Sequence, residues 1–253
     1  MRALSAQELI SVWERGLAGR PFERALAILS AASPETSPSA LARLSIGRRD
    51  ANLLQLREWA FGSELTLLAK CPLCRQELES TMPVSLLRVT TNPVGVPDTE
   101  VRGDLRGSFR LRDYEVHYRP PNTDDVAKCA ELESAASRQK LLASCVTDAR
   151  CQGRFVTAEE LPDDVVRKVI EQIAASDPQA DMRLDLVCPE CHGSWREVFD
   201  IVSFFWIEID AWARRILREV NVLARAYGWR ESDILELSPI RRQVYLSMIQ
   251  AQT

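Results

Sequence analysis

Two copies of one short motif, Cys71-Pro-Leu-Cys74 and Cys188-Pro-Glu-Cys191, constrain this chain more than anything else in it. Thiolates two residues apart converge on a single ion when the backbone turns tightly, because the turn aims N–H groups at the sulfurs and offsets their charge. Strand-like segments flank both pairs: Leu65–Lys70 and Glu77–Met82 around the first, Met182–Val187 and Ser194–Phe199 around the second. The spacing therefore predicts a repeated strand–knuckle–strand unit. Its two copies are expected to pack as one zinc ribbon, with residues 75–187 enclosed between them.

A thioredoxin-type dithiol is the competing chemistry. It requires a helix that begins at the motif within a βαβ unit, and both motifs here lead into strand-like sequence. All-sulfur tetrahedral ligation favours Zn²⁺ over harder ions, and iron–sulfur clusters draw on cysteines grouped more closely in sequence. Four thiolates from Cys71, Cys74, Cys188 and Cys191 fill the shell and leave no position for water, so the metal is expected to be structural. Closing so long a loop removes about 4–5 kcal/mol of unfolded-chain entropy in the cross-link model.

The other sulfur and imidazole groups offer less. Cys129, Cys145 and Cys151 have no partner motif, and with Cys145 in an apolar helical stretch they read as one or more buried thiols. His192 follows Cys191 directly and stays outside the ligand set. His117 lies in Phe109–Arg119, where Tyr114, Val116 and Tyr118 alternate with Glu115, His117 and Arg119, so it is expected on the polar face of a strand. No histidine lies close in sequence to Cys129, Cys145 or Cys151 as the base that a catalytic thiol needs.

Charge and length narrow the function further. The 253 residues carry 32 basic and 36 acidic side chains, a net charge of -4, so no global field favours nucleic acid or anionic lipid. The longest apolar run, Ile201–Ile207, contains Ser203 and falls far short of the roughly 20 residues of a membrane span. The N-terminus has early acids and no signal core, which predicts a cytoplasmic, reducing compartment. Phosphate-loop, dinucleotide, nucleophile-elbow and HExxH motifs are absent, and no catalytic residues are expected. Asp124-Asp125 and Asp163-Asp164 read as helix starts, and Arg48-Arg49, Arg214-Arg215 and Arg241-Arg242 as solvated faces.

The expected fold class is α+β, mainly α-helical, with a small two-knuckle zinc-ribbon β element formed by segments far apart in sequence. Residues 1–64 read as an N-terminal helical region, with capping-box spacing at Ser5 and Glu8, Pro21 opening a second helix, and a break around Ser45–Gly47. Residues 65–90 form the first knuckle hairpin and 181–200 the second. Between them, 91–180 reads as an inserted arm rich in Pro and Gly at 92–98, a hairpin, and an α-rich subdomain with helices near 124–135, 138–149 and 162–175. Residues 201–253 are C-terminal helices, the first with Ile201, Phe205, Ile209, Trp212, Ile216, Val220, Leu223 and Tyr227 at helical spacing and Gly228 as its stop. Phe204 and Trp206 fall off that stripe and suggest either further core or a partner surface.

Three stretches carry a resemblance: IGRRDANLLQLREWAFGSELTLLAKCPLCRQELE, DLVCPECHGSW, and EIDAWARRILREVNVLARAYGWRESDILELSPIRRQVYLSMI. Together they resemble the T-even-type baseplate hub assembly chaperones encoded with contractile phage tails and phage-tail-like injection systems. The resemblance implies a non-enzymatic protein of the bacterial cell, phage- or tailocin-encoded, whose partners are baseplate, hub or spike proteins. Cys71, Cys74, Cys188 and Cys191 carry over as metal ligands, and no catalytic residue does. Two other readings compete: a permanent baseplate component, and a nucleic-acid-binding zinc ribbon. Against the latter, Lys70, Arg75 and Arg196 are offset by Glu77, Glu79, Glu190 and Glu197.

Overall fold

A computed structural model describes residues 1–89 and 105–251. In chain order the elements are helices α1 (Ala6–Gly16), α2 (Pro21–Ala32), α3 (Pro38–Ala42) and α4 (Ile46–Phe61), then strands β1 (Glu64–Lys70), β2 (Glu77–Pro83), β3 (Gly107–Leu111) and β4 (Tyr114–Tyr118). Helices α5 (Thr123–Cys129) and α6 (Ser134–Cys145) lead to β5 (Val146–Cys151), β6 (Arg154–Phe155) and α7 (Asp163–Ser176). The chain continues through β7 (Arg183–Val187), β8 (Ser194–Val198), α8 (Ile201–Tyr227), α9 (Glu231–Glu236) and α10 (Pro239–Gln250). The fold is α+β, mainly helical with small antiparallel sheets. The Pro/Gly-rich arm expected at 92–98 lies outside the described residues. Among those residues no helix is long and apolar enough to cross a membrane.

The chain divides into two compact units, residues 1–35 with 201–253, and residues 36–200. The first is all-helical. Ser5 caps α1 in a complete capping box, its hydroxyl accepting from the Glu8 N–H while the Glu8 carboxylate accepts from the Ser5 N–H at 2.9 Å. Ile201, Phe205, Ile209, Ile216, Val220 and Leu223 form the buried stripe of α8, with Trp212 half-buried and Tyr227 exposed. Ile10, Ile234 and Leu235 close on the C-terminal half of that stripe. Trp206 lies off the stripe yet is buried. Its ring lies where Gly16 leaves no room for a Cβ, and the Arg24 guanidinium sits 4.5 Å over its centroid.

Two basic pairs read as solvated prove to be divided between surface and interior. Arg49 is buried and bonds Asp50 at 2.7 Å, and Arg242 is buried and bonds Glu219 at 2.7 Å and the Leu237 carbonyl at 3.1 Å. In each pair the second guanidinium faces inward onto a carboxylate that offsets the cost of its burial.

The second unit contains a four-stranded antiparallel sheet of order β3-β4-β5-β6. Its inner face, Val116, Tyr118 and Ala149, packs on Val165 and Val169 of α7. His117 is exposed, as expected for the polar face of β4. The helix expected over 138–149 ends instead at Cys145, and Val146–Cys151 is a central strand. Pairing with β4 decides this: Val116 lies opposite Ala149, and both side chains are sealed by α7. That burial outweighs a local helical preference.

Candidate metal centre

Each cysteine pair sits at the tip of a two-stranded hairpin. β1 pairs with β2 from Glu64 opposite Pro83 to Lys70 opposite Glu77, and β7 pairs with β8 from Arg183 opposite Val198 to Val187 opposite Ser194. The tips have the same backbone wiring. In the first, Cys71 N–H donates to Gln76 O and Arg75 N–H donates to Cys71 O; in the second, Cys188 N–H donates to Gly193 O and His192 N–H to Cys188 O, all at 2.9 Å. Arg75 (φ 63°) and His192 (φ 58°) both adopt the left-handed conformation, which turns the chain back after the second cysteine so that Gln76 O and Gly193 O reach the N–H of the first. The sequence contained this signal at equivalent positions, immediately after each C-P-x-C, but neither residue is the glycine that usually announces it.

The roots of the hairpins are built separately. The Arg57 guanidinium, buried at the end of α4, donates to the carbonyls of Gly62 (2.8 Å) and Glu64 (2.7 Å), which fixes the entry into β1. Val84 N–H donates to Ser63 O at 2.7 Å and closes the first hairpin, and Phe199 N–H donates to Met182 O at 2.9 Å and closes the second. Between them lies Gln179, whose buried amide donates to Leu87 O (2.9 Å) and accepts from Val89 N–H (2.7 Å). It joins the segment leaving the first hairpin to the segment entering the second. Asp177 accepts from Gly47 N–H at 2.9 Å and ties the same segment to the start of α4. None of these root contacts was foreseen: no motif marks them, and those of Gln179 and Asp177 join residues far apart in sequence.

The four sulfurs all lie within 4.8 Å of one another. Cys71 Sγ is 3.7 Å from Cys191 Sγ, and Cys74 Sγ is 3.5 Å from Cys188 Sγ, so the sulfurs of the two hairpins meet each other directly. A disulfide would bring sulfurs to about 2.05 Å, whereas a tetrahedron with metal–sulfur bonds of about 2.3 Å has edges of about 3.8 Å. The cysteines are free thiols at the second spacing. Cys71 and Cys188 are buried, and Cys74 and Cys191 are exposed.

The electrostatics also favour a cation. Backbone N–H of Cys74, then of Leu73, bonds to the Cys71 sulfur and lowers its pKa to about 6 despite desolvation. Gln76 N–H acts the same way on Cys74, but desolvation and the surrounding sulfurs outweigh it and push that thiol up to about 12. The Cys71 thiolate is thus stabilised while Cys74 beside it is discouraged from ionising, a conflict that a bound divalent cation removes. The residues present fit a four-sulfur metal site with a closed shell.

The remaining candidates stay apart from it. Cys145 is buried near Arg119, with desolvation pushing its thiol up to about 12; Cys129 and Cys151 are half-buried. His192 contributes its backbone to the second tip, not a ligand.

A model of the family described as T4 bacteriophage base plate protein matches residues 26–206, a stretch containing both cysteine pairs. The C-terminal run beyond Trp206 lies outside that match. No curated protein and no solved structure matches the chain.

Proposed function

The chain belongs to the T4 bacteriophage base plate protein family, and from that premise we propose that it is a zinc-clamped, non-enzymatic assembly factor. It acts in the bacterial cytoplasm as a chaperone or adaptor, binding baseplate, hub or spike subunits of a contractile phage-tail-like injection machine. The family match carries this reading. Cys71, Cys74, Cys188 and Cys191 are the proposed ligands of a structural Zn²⁺, since sulfur-only tetrahedral sets select zinc and leave no coordination position for a reacting water.

Support for protein binding comes from α10. Its inner side packs on α8 through Tyr245, Leu246 and Ile249, while Ile240, Val244 and Met248 line the outer side at four-residue spacing, all exposed. A nucleic-acid role has less behind it: Arg196 is paired with Asp185 at 2.8 Å and Lys70 lies opposite Glu77, so the cations near the tips carry their own counter-charges.

A tagged copy expressed with its whole gene cluster is expected to co-purify with baseplate or hub subunits, with one zinc per chain in the same sample. Deleting the gene should leave particles deficient in hub; fully assembled baseplates with normal hub content from the deletion strain sink the assembly role. The family description also suits a permanent component. Mass spectrometry of purified particles separates the two, because a chaperone is absent or substoichiometric and a component is present at a fixed number of copies.

A further inference from the structure

Within the second unit, away from the sulfurs, a cavity of about 100 Å³ has, among the described residues, charged lining of one sign only. Arg43, Arg48 and Arg119 reach it, and among the described residues no Asp or Glu lines it. It forms where the starts of α4 and α5 are joined: Ile46 N–H donates to Pro121 O at 3.0 Å, and Ser45 and Asn122 form a β-bridge. The first N–H groups of α4 are already used, by Pro121 O, by the Asp177 carboxylate and by Ser45 Oγ. Any anion there must therefore be met by guanidinium groups, not by the helix terminus.

The site is also preorganised. A bidentate pair with Asp125 (2.6 and 2.9 Å) and a bond to Pro120 O (3.0 Å) hold the Arg119 fork in place before any ligand arrives. Leu44, Leu105 and Pro120 supply apolar walls, which strengthen a charge-assisted hydrogen bond formed between them. A cation is repelled by this lining.

We propose that the cavity binds a single oxyanion group, a carboxylate or a phosphate, through Arg43 and Arg48 with Arg119 as the fixed wall. Its size admits one small group and not a track of backbone phosphates, and the chain's net charge of -4 gives no wider field for nucleic acid. The inference depends neither on the metal nor on the assembly role.

The test uses the full, metal-loaded chain, labelled with ¹⁵N and titrated with sodium phosphate and, separately, with sodium acetate against sodium chloride at matched ionic strength. Saturable shifts are expected at the arginine Nε–H signals of Arg43 and Arg48 and at the backbone amides of Ser45 and Arg48. In Arg43→Ala/Arg48→Ala the affinity should fall at least about tenfold, the effect of removing charge-assisted bonds. Arg43 is exposed, so Arg43→Glu alone serves as a second variant that leaves packing untouched and should abolish saturation. Saturation by phosphate alone assigns a phosphoryl ligand, and saturation by both anions assigns a carboxylate such as a partner's acidic side chain. Linear, unsaturated shifts in the parent protein, or saturation unchanged in the variants, overturn the proposal.

Discussion

In the helical unit, α8 alone buries Phe205, Ile209, Ala213, Ile216 and Leu223 almost completely, whereas the four strands of the cysteine hairpins together bury one side chain, Leu65. Each large apolar side chain taken out of water contributes about 1.5–3 kcal/mol, so the first region carries its own driving force. An isolated two-stranded hairpin is marginal in water. The hairpins hold their shape through root contacts at Arg57 and Gln179 and through sulfur at the tips. One region is organised by apolar area, and the other by a few polar contacts and a proposed cross-link.

Removing the cross-link should expose that contrast most strongly. Cys188→Ser is expected to reduce bound zinc from one per chain to almost none, forfeiting metal-binding free energy on the order of 10 kcal/mol. Hydrogen exchange should then accelerate in β1, β2, β7 and β8 while the amides of α8 stay protected; loss of protection in α8 to the same degree breaks the distinction. The converse variant, Phe205→Ala, should cost about 3–5 kcal/mol in urea unfolding with zinc content unchanged.

A buried ion pair lies between these extremes in cost. Desolvation raises the Asp125 pKa, but bonds from Arg119 and Asn122 N–H outweigh it and hold the carboxylate below its ordinary value. That stabilisation is present above the unfolded value of about 4 and is lost as pH falls through the lower folded value. Arg119→Ala should cost about 2–3 kcal/mol near pH 7, and its melting temperature should converge on the parent's below pH 3. The smallest effect concerns the tips: Arg75→Gly and His192→Gly should each stabilise by up to about 1 kcal/mol by relieving the left-handed backbone. Equal increments in thermal melts confirm that the two tips are equivalent, and unequal ones show where Leu73, packed against Gly193, makes them differ.

Much of this was legible in the sequence wherever a local rule operates. The matched C-P-x-C pairs announced the sulfur cluster, the stripe from Ile201 to Leu223 announced α8, and Ser5 with Glu8 announced the start of α1. What escaped was decided at a distance. Cys145 and Ala149 have helical spacing, yet Ala149 belongs to a strand because Val116 and α7 are waiting for it. Arg242 read as solvent-facing because its partner Glu219 lies 23 residues away in sequence, and Arg49 because its burial together with the adjacent Asp50 is set by the surrounding fold. The short helix α9 escaped because its six residues are shorter than two turns and gain their stability from Ile234 and Leu235 in the core.

The nesting of one unit inside the other has a consequence for synthesis on the ribosome. Helices α1 and α2 emerge first, but the segment that completes their unit starts at residue 201, after all of residues 36–200 have been made. At about 5–20 residues per second, these helices wait on the order of 10–30 s for their other half. During that interval Ala25, Ile28 and Leu29, fully covered in the finished fold, have none of α8 to cover them. The chain is thus, at the start of its own life, a nascent protein with its first apolar faces open to whatever binds them.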